Sequence, residues 1–318
     1  MSNIVPFDES RPEFNGFNAF YNDKIGPYLE SREQERKVGV TKAKKIGFGI
    51  AISGLLVAIT IYMKTGSMPG LIIPALMGVG IGFAVLHHIA NALSGEIKQY
   101  MMENICEFIG WKYSEKDFIS PDLEPWQANR LLPRYYDRVK FEDQMSGNAH
   151  GADFSFCESH MEKKHTDKDG KTHWSTVFRG IMLEIDFHRE FLGRTVVLRD
   201  GGFFNMKKKA GMKRVGLVDP VFEKIFEAYG TDQVEARYLL TPVFMQKLVD
   251  LESTVSGKKI RFGFFDRRLH IAVEAPNQFE VDSMFKTLLD TSRTEKILSE
   301  ISAIFDVIDG VSKPQKKR

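Results

Sequence analysis

Cysteine is scarce in this chain of 318 residues: there are two, Cys106 and Cys157. Two thiols can pair, but they are too few for a disulfide framework and they suit a reducing compartment. An excess of one charge is also missing. Lys and Arg number 44 against 42 Asp and Glu, a formal net charge of +2, so nothing points to nucleic acid as the partner. Motifs that carry known chemistry are absent as well. There is no HExxH, no GxSxG nucleophile elbow and no phosphate-binding loop of the Walker type, so no catalytic residue, cofactor or metal is assigned. The first 45 residues are polar and lack an apolar core region near their start, which predicts no cleavable signal peptide.

Charge itself disappears in one place. Ile46 to Met63 contains no charged residue, and these 18 residues rise ~27 Å as a helix, close to the ~30 Å of a bilayer core. A second uncharged stretch runs from Pro69 to Leu93. About five residues, Lys64 to Met68, separate the two, so the pair is expected to form an antiparallel transmembrane hairpin with both flanks on one side. Arg32, Arg36, Lys37, Lys42, Lys44 and Lys45 precede the first span, whereas the turn carries only Lys64. The positive-inside rule then places both termini in the cytoplasm. Gly78 and Gly82 sit one helical turn apart inside the second span, a pattern that lets helix backbones approach closely. Packing within the hairpin and dimerisation are both open at this point. Pro74 is expected to bend that span, and His87 and His88 to lie near its cytoplasmic end.

Outside the hairpin the patterning is mixed. Phe14, Phe17, Phe20, Tyr21, Ile25, Tyr28 and Leu29 recur at three- and four-residue steps, which predicts an amphipathic helix broken or kinked near Gly26–Pro27. Its stripe is expected to bury against the soluble domain, the membrane or a partner. After a helix over residues 96–110, Ala152 to Lys164 and His173 to His188 alternate as strands. Asp169–Gly170 between them reads as a type I′ turn. That turn pairs residues whose numbers sum to 339, setting Phe154 against Ile185, Phe156 against Leu183 and, less favourably, Asp153 against Asp186. Strands are further expected at Thr195–Leu198, Val215–Val218, Ile260–Phe265 and Leu269–Val273. Pro220 opens a helix carrying Phe222, Ile225 and Phe226. Asp232 caps another with Glu235 as a capping-box partner, and Thr241–Pro242 starts a third. A long amphipathic helix is predicted from Gln278 to Ile308. The fold class is therefore α+β: a helical arm (1–45), a transmembrane hairpin (46–93), a cytoplasmic mixed domain with antiparallel β-hairpins and flanking helices (94–312) and a basic tail (313–318).

Three stretches carry a family resemblance: FNAFYNDKIGPYLE (17–30), VFRGIMLEIDFHREFLGRTVVLRD (177–200) and DPVFEKIFEAYGTDQVEARYLLTPVFMQKL (219–248). With the paired spans, they make the chain resemble the bacterial two-span membrane family catalogued as domain of unknown function thirty-one thirty-seven. The resemblance implies a bacterial membrane protein and carries over no catalytic residue.

Candidate sites follow from local chemistry. His160, His165 and His173 flank the first hairpin, but His165 and His173 have opposite parity in the expected register and converge only if it slips by one. Asp232, Glu235 and Arg237 are candidates for ligand or partner contact, set against plain capping and ion pairing. Asp186, His188 and Arg194 form a polar group beside the strands. Lys207, Lys208, Lys209, Lys213 and Arg214 lie in a glycine-containing loop and are candidates for anionic-lipid contact, as is the tail. The expected role is a non-enzymatic interaction or scaffold module at the bacterial inner membrane. Its expected partners are membrane lipids and an unidentified protein, with a homo-oligomer as an alternative. An enzyme acting on a membrane-proximal substrate and an accessory subunit of a transport complex are the rival readings.

Overall fold

The computed structural model describes residues 6–186, 190–199, 211–217, 219–280 and 284–312. By contact the chain divides into two units, residues 1–104 with 280–295 and residues 105–279 with 296–318.

The first unit is helical. Helix α1 (Phe17–Phe20) passes through a π turn (Tyr21–Ile25) into α2 (Gly26–Thr65), 40 residues long. The expected break at Gly26–Pro27 is therefore a change of hydrogen-bond step and not an interruption. Pro27 has no N–H to donate, and the Gly26 N–H reaches back five residues to the Tyr21 carbonyl. Gly66 ends α2 in the left-handed region, with φ 63°. Helix α3 (Met68–Ala90) starts two residues later, after Ser67 as its N-cap, with Pro69 in its first turn. Helix α4 (Ser94–Phe108) follows.

Helices α2 and α3 lie against each other at glycines. A Cβ at Gly54 would stand 2.6 Å from the Gly78 Cα, and one at Gly82 would overlap the Gly47 carbonyl. No other residue type permits this approach. Two helical stretches, Pro12–Thr65 and Met68–Phe108, are long and apolar enough to cross a membrane, and 11% of each apolar window is buried.

The amphipathic stripe buries within the same unit. Phe17, Tyr21, Ile25 and Leu29 are buried; Phe7 packs edge-on against Phe17 and Tyr21, and Tyr28 stacks on Tyr100 of α4. The returning segment 284–295 is tied down by a buried ion pair. Glu33 and Arg36 hold each other at 2.8 Å, Arg36 donates to the Met284 carbonyl and the Leu288 N–H donates to Glu33.

The second unit is built on one antiparallel sheet of nine strands in the order β1-β2-β3-β4-β9-β8-β5-β7-β6. The strands are β1 (Lys112–Ser114), β2 (Arg138–Ala149), β3 (Ala152–Thr166), β4 (Thr172–Asp186), β5 (Thr195–Arg199), β6 (Lys213–Val215), β7 (Phe226–Gly230), β8 (Lys258–Phe265) and β9 (Arg268–Glu274). Both sheet faces are covered. On one, Trp126 of the short helix α5 (Glu124–Ala128), Leu131 and Leu132 pack on Cys157, Phe178, Met182, Val196 and Phe265. On the other, Phe244 of α8 (Pro242–Thr254) meets Phe262 and Phe264, while Phe305 of α9 (Ser292–Ser312) meets Trp111. Helices α6 (Pro220–Ile225) and α7 (Gln233–Leu239) complete the element list.

Several expectations are corrected. The turn between β3 and β4 is not the two-residue type I′. Asp167 accepts at its side chain from the Asp169 and Lys171 N–H groups, the Asp167 N–H pairs with the Lys171 carbonyl, and only Gly170 takes positive φ, at 78°. This draws the turn back by one residue and pairs His165 with His173; an irregularity after Met161 then restores the expected register from Met161–Phe178 to Phe154–Ile185. Asp153 and Asp186 escape mutual repulsion because Asn148 donates to one and Arg268 to the other.

Phe226 lies on strand β7 instead of ending a helix, and β6 starts two residues before the expected Val215–Val218 and shares Val215 with it. The last helix begins at Ser292, not Gln278. The Gln278 and Phe279 N–H groups are held by the carboxylates of Glu158 and Glu300, and Phe279 has φ 51°, incompatible with a right-handed helix.

Candidate functional site

The strongest polar cluster lies on the sheet face beneath α5, where β4 and β9 run side by side and pair Glu184 with His270 and Asp186 with Arg268. Glu184 accepts from the Trp126 indole at 3.1 Å and from Arg268 at 3.2 Å, and Arg268 also donates to Asp186 at 2.8 Å. His270 stacks face to face on Phe265 at 4.0 Å and meets the Trp126 ring edge-on. Burial, above all, pulls its pKa down to about 3, so the imidazole is neutral. Its 3.6 Å approach to Glu184 is therefore not an ion pair. His270 is 2% exposed and Trp126 fully buried, while Arg268 and Asp186 stay about half exposed at the rim of the cluster. Cys157 and Cys106 are free and buried, and burial pushes each thiol up to about 12, which leaves both unreactive at neutral pH.

A second feature projects from the sheet. Strand β2 pairs with β3 only as far as Glu162, while β3 and β4 continue to Thr166 and Thr172. Every residue from Lys163 to Thr176 is exposed, so this end of the hairpin is a two-stranded arm with both faces in solvent. The arm carries four lysines against two aspartates. At its base Arg138 lies over the Trp174 ring at 3.9 Å and Lys163 lies over Tyr135 at 5.9 Å. Trp174 is 39% and Tyr135 76% exposed, large values for such side chains.

The residues singled out from sequence fall in different places. His165 bonds Ser175, His160 bonds Thr176 and His173 bonds Asp167. Among the described residues no group of three or more His, Cys, Asp or Glu is placed to hold a metal ion. Asp232 caps α7 by accepting from Val234 and Glu235 N–H groups. Glu235 does not close a capping box. Its carboxylate is buried and accepts from the N–H groups of Leu192 and Gly193, both at 2.9 Å, pinning the loop before β5. Arg237 is exposed on the same helix, so these three residues do not converge. Asp186 and Arg194 belong to different partners, the latter's N–H donating to Thr231. His188, Lys207, Lys208, Lys209 and the tail 313–318 lie outside the described residues; Lys213 and Arg214 are exposed on β6 at the sheet edge. Gly78 and Gly82 are buried against α2.

Sequence reading missed the Glu184 cluster because Trp126, Glu184 and His270 come from three separated segments with no motif spacing. It missed the arm because alternation looks the same in a strand flanked on both sides and in one that has outrun its neighbour. Tyr113 likewise carries no motif in the sequence. Its hydroxyl donates at 2.6 Å to Asp143, which is buried at φ 56° in a bulge of β2, and burial first, then that carboxylate, raises the Tyr113 pKa.

No curated protein matches the chain. Among solved structures it is similar to the crystal structure of the mycobacterial trehalose monomycolate transport factor A, TtfA, at 10% identity and a TM-score of 0.32, over 70% of this chain and 99% of that one. Similarity at that score supports no inference about function. Residues 176–313, from β4 through the last helix, match the model of the family described as Protein of unknown function (DUF3137).

Proposed function

We propose that this protein is a membrane-anchored interaction or scaffold module that grips a protein partner with its β3–β4 arm. The observation that carries this is the arm itself. A two-stranded ribbon is marginal when nothing packs on it, yet this one extends exposed on both faces and presents Trp174 and four lysines, with Tyr135 exposed at its base. Exposed aromatic and basic side chains on such a ribbon and at its base suit an acidic partner segment with apolar residues. The proposed role is non-enzymatic, in keeping with a His270 that is buried and held neutral. Anchoring is supported by α2 and α3, which leave Leu56, Leu76 and Phe83 59%, 66% and 63% exposed. Soluble proteins rarely leave contiguous apolar patches of such extent in water. The proposed location is a bacterial inner membrane with both termini cytoplasmic, from the lysine and arginine bias before the first span. Exposed Lys213 and Arg214, with Lys207, Lys208 and Lys209, are proposed to contact anionic lipid.

A photo-crosslinker placed at Lys171 of the full chain in cells is expected to trap one defined protein, and the double variant Trp174→Ala/Tyr135→Ala to abolish the adduct. No adduct, or one indifferent to the double variant, rejects the arm as the binding element.

A further inference from the structure

Along α2, Gln34, Lys37, Thr41, Lys42, Lys45 and Ile46 line an open recess of about 600 Å³. Below it, Ile46, Gly49 and Ser53 of α2 with Pro74, Met77 and Ile81 of α3 line a groove of about 530 Å³. Ile46 belongs to both, and the α2 positions step by three and four residues, so recess and groove form one stripe down one helix face. The chemistry changes along it. The upper part is basic, and neither Lys42 nor Lys45 has a carboxylate partner among the described residues. The lower part is apolar: the Ser53 hydroxyl is spent on the Gly49 carbonyl at 2.9 Å. Gly49 leaves open space where a side chain would stand. Ile46 to Val57 rises ~16 Å, about the depth of one leaflet of a ~30 Å core.

We propose that this stripe binds one anionic phospholipid, its phosphate between Lys42 and Lys45 and an acyl chain in the groove between α2 and α3. A second copy of the chain fits less well. A symmetric contact through the same face sets each lysine cluster against its copy, with no acidic side chain in the stripe to relieve it. A polar soluble ligand would find no free donor in the groove. The proposal rests on the membrane-spanning reading, and its test separates the two.

Alkaline extraction of membranes comes first. Release of the chain as a soluble protein overturns both the anchor and this site, while retention leaves the lipid site to be judged alone. The purified full chain in mild detergent is then offered equal phosphatidylglycerol and phosphatidylcholine of the same chain length, and bound lipid is read by native mass spectrometry. Phosphatidylglycerol is expected to be retained about tenfold over phosphatidylcholine. Lys42→Gln/Lys45→Gln should erase that preference, and Gly49→Leu, whose Cβ meets no atom within 4 Å and whose side chain enters the groove, should lower occupancy by both lipids. Equal retention of the two lipids by the unaltered chain overturns the proposal. So does displacement of bound lipid by millimolar inorganic phosphate, or a dimer that Gly49→Leu dissociates in the absence of lipid.

Discussion

His270 sits between the rings of Phe265 and Trp126 with its pKa drawn down to about 3 from an ordinary 6.5. The folded protein therefore holds it neutral where the unfolded chain would protonate it. Its stabilising contribution is complete above about pH 6.5 and is lost progressively as pH falls from there towards 3, by up to ~1.4 kcal/mol per pH unit. The variant His270→Phe, which keeps a ring between the same neighbours, is expected to flatten the acid limb of stability between pH 6 and 4. Denaturant titrations of the full chain in detergent at several pH values measure this, and an unchanged slope refutes it. Glu33 acts in a lower window. Chiefly through its hydrogen bonds with Arg36, its pKa is held at about 2, so its contribution is present above pH 4.5 and fades below. Local roles such as Asp232 at its cap were legible in the sequence because donor and acceptor lie within three residues. Glu235 was misread for the opposite reason: its partners are 42 and 43 residues away, and no spacing rule reaches that far.

Helix α2 contacts α3 through Gly47, Gly54, Gly78 and Gly82, where added atoms have nowhere to go. Gly78→Leu or Gly82→Leu is expected to lower stability in detergent by about 1–3 kcal/mol. Gly80→Leu, with nothing within 4 Å of the new Cβ, is expected to be near neutral. Thermal melts of the three variants decide the matter, and equal effects would show that the helices are not held at these positions. The helices with caps were legible, as were both hairpins β3–β4 and β8–β9, because hydrophobic period and turn residues act locally. Strands β1, β2 and β7 were not. Phe226 continues the apolar spacing of α6, and only its pairing across from Arg199 of β5 makes it a strand residue. The hairpin register was right over Phe154–Met161 and wrong at the tip, where the Asp167 side chain outcompetes the Asp169–Gly170 preference by capturing two N–H groups.

For the whole molecule, the two apolar helices and the basic segment before them predict which side of the membrane the sheet occupies. A reporter active only in the cytoplasm, fused after Arg318, is expected to be active, and a periplasm-only reporter at the same point silent; the reverse result overturns the orientation. Two helices apolar enough to cross a membrane and the α+β class could be read from hydrophobic patterning with its turn and cap residues. The division of the chain could not, since nothing in the local pattern of residues 280–295 signals that they return to the helical unit.

That return makes the helical unit discontinuous, and it sets a schedule for biosynthesis. Glu33 leaves the ribosome early, but the Leu288 N–H that it accepts follows 255 residues later, roughly 10–50 s at ~5–20 residues per second. Throughout that interval Glu33 and Arg36 await their backbone partners while the intervening sheet is already emerging and folding. The N-terminal unit is thus the first to emerge, yet it closes only after all nine strands of the sheet have been made.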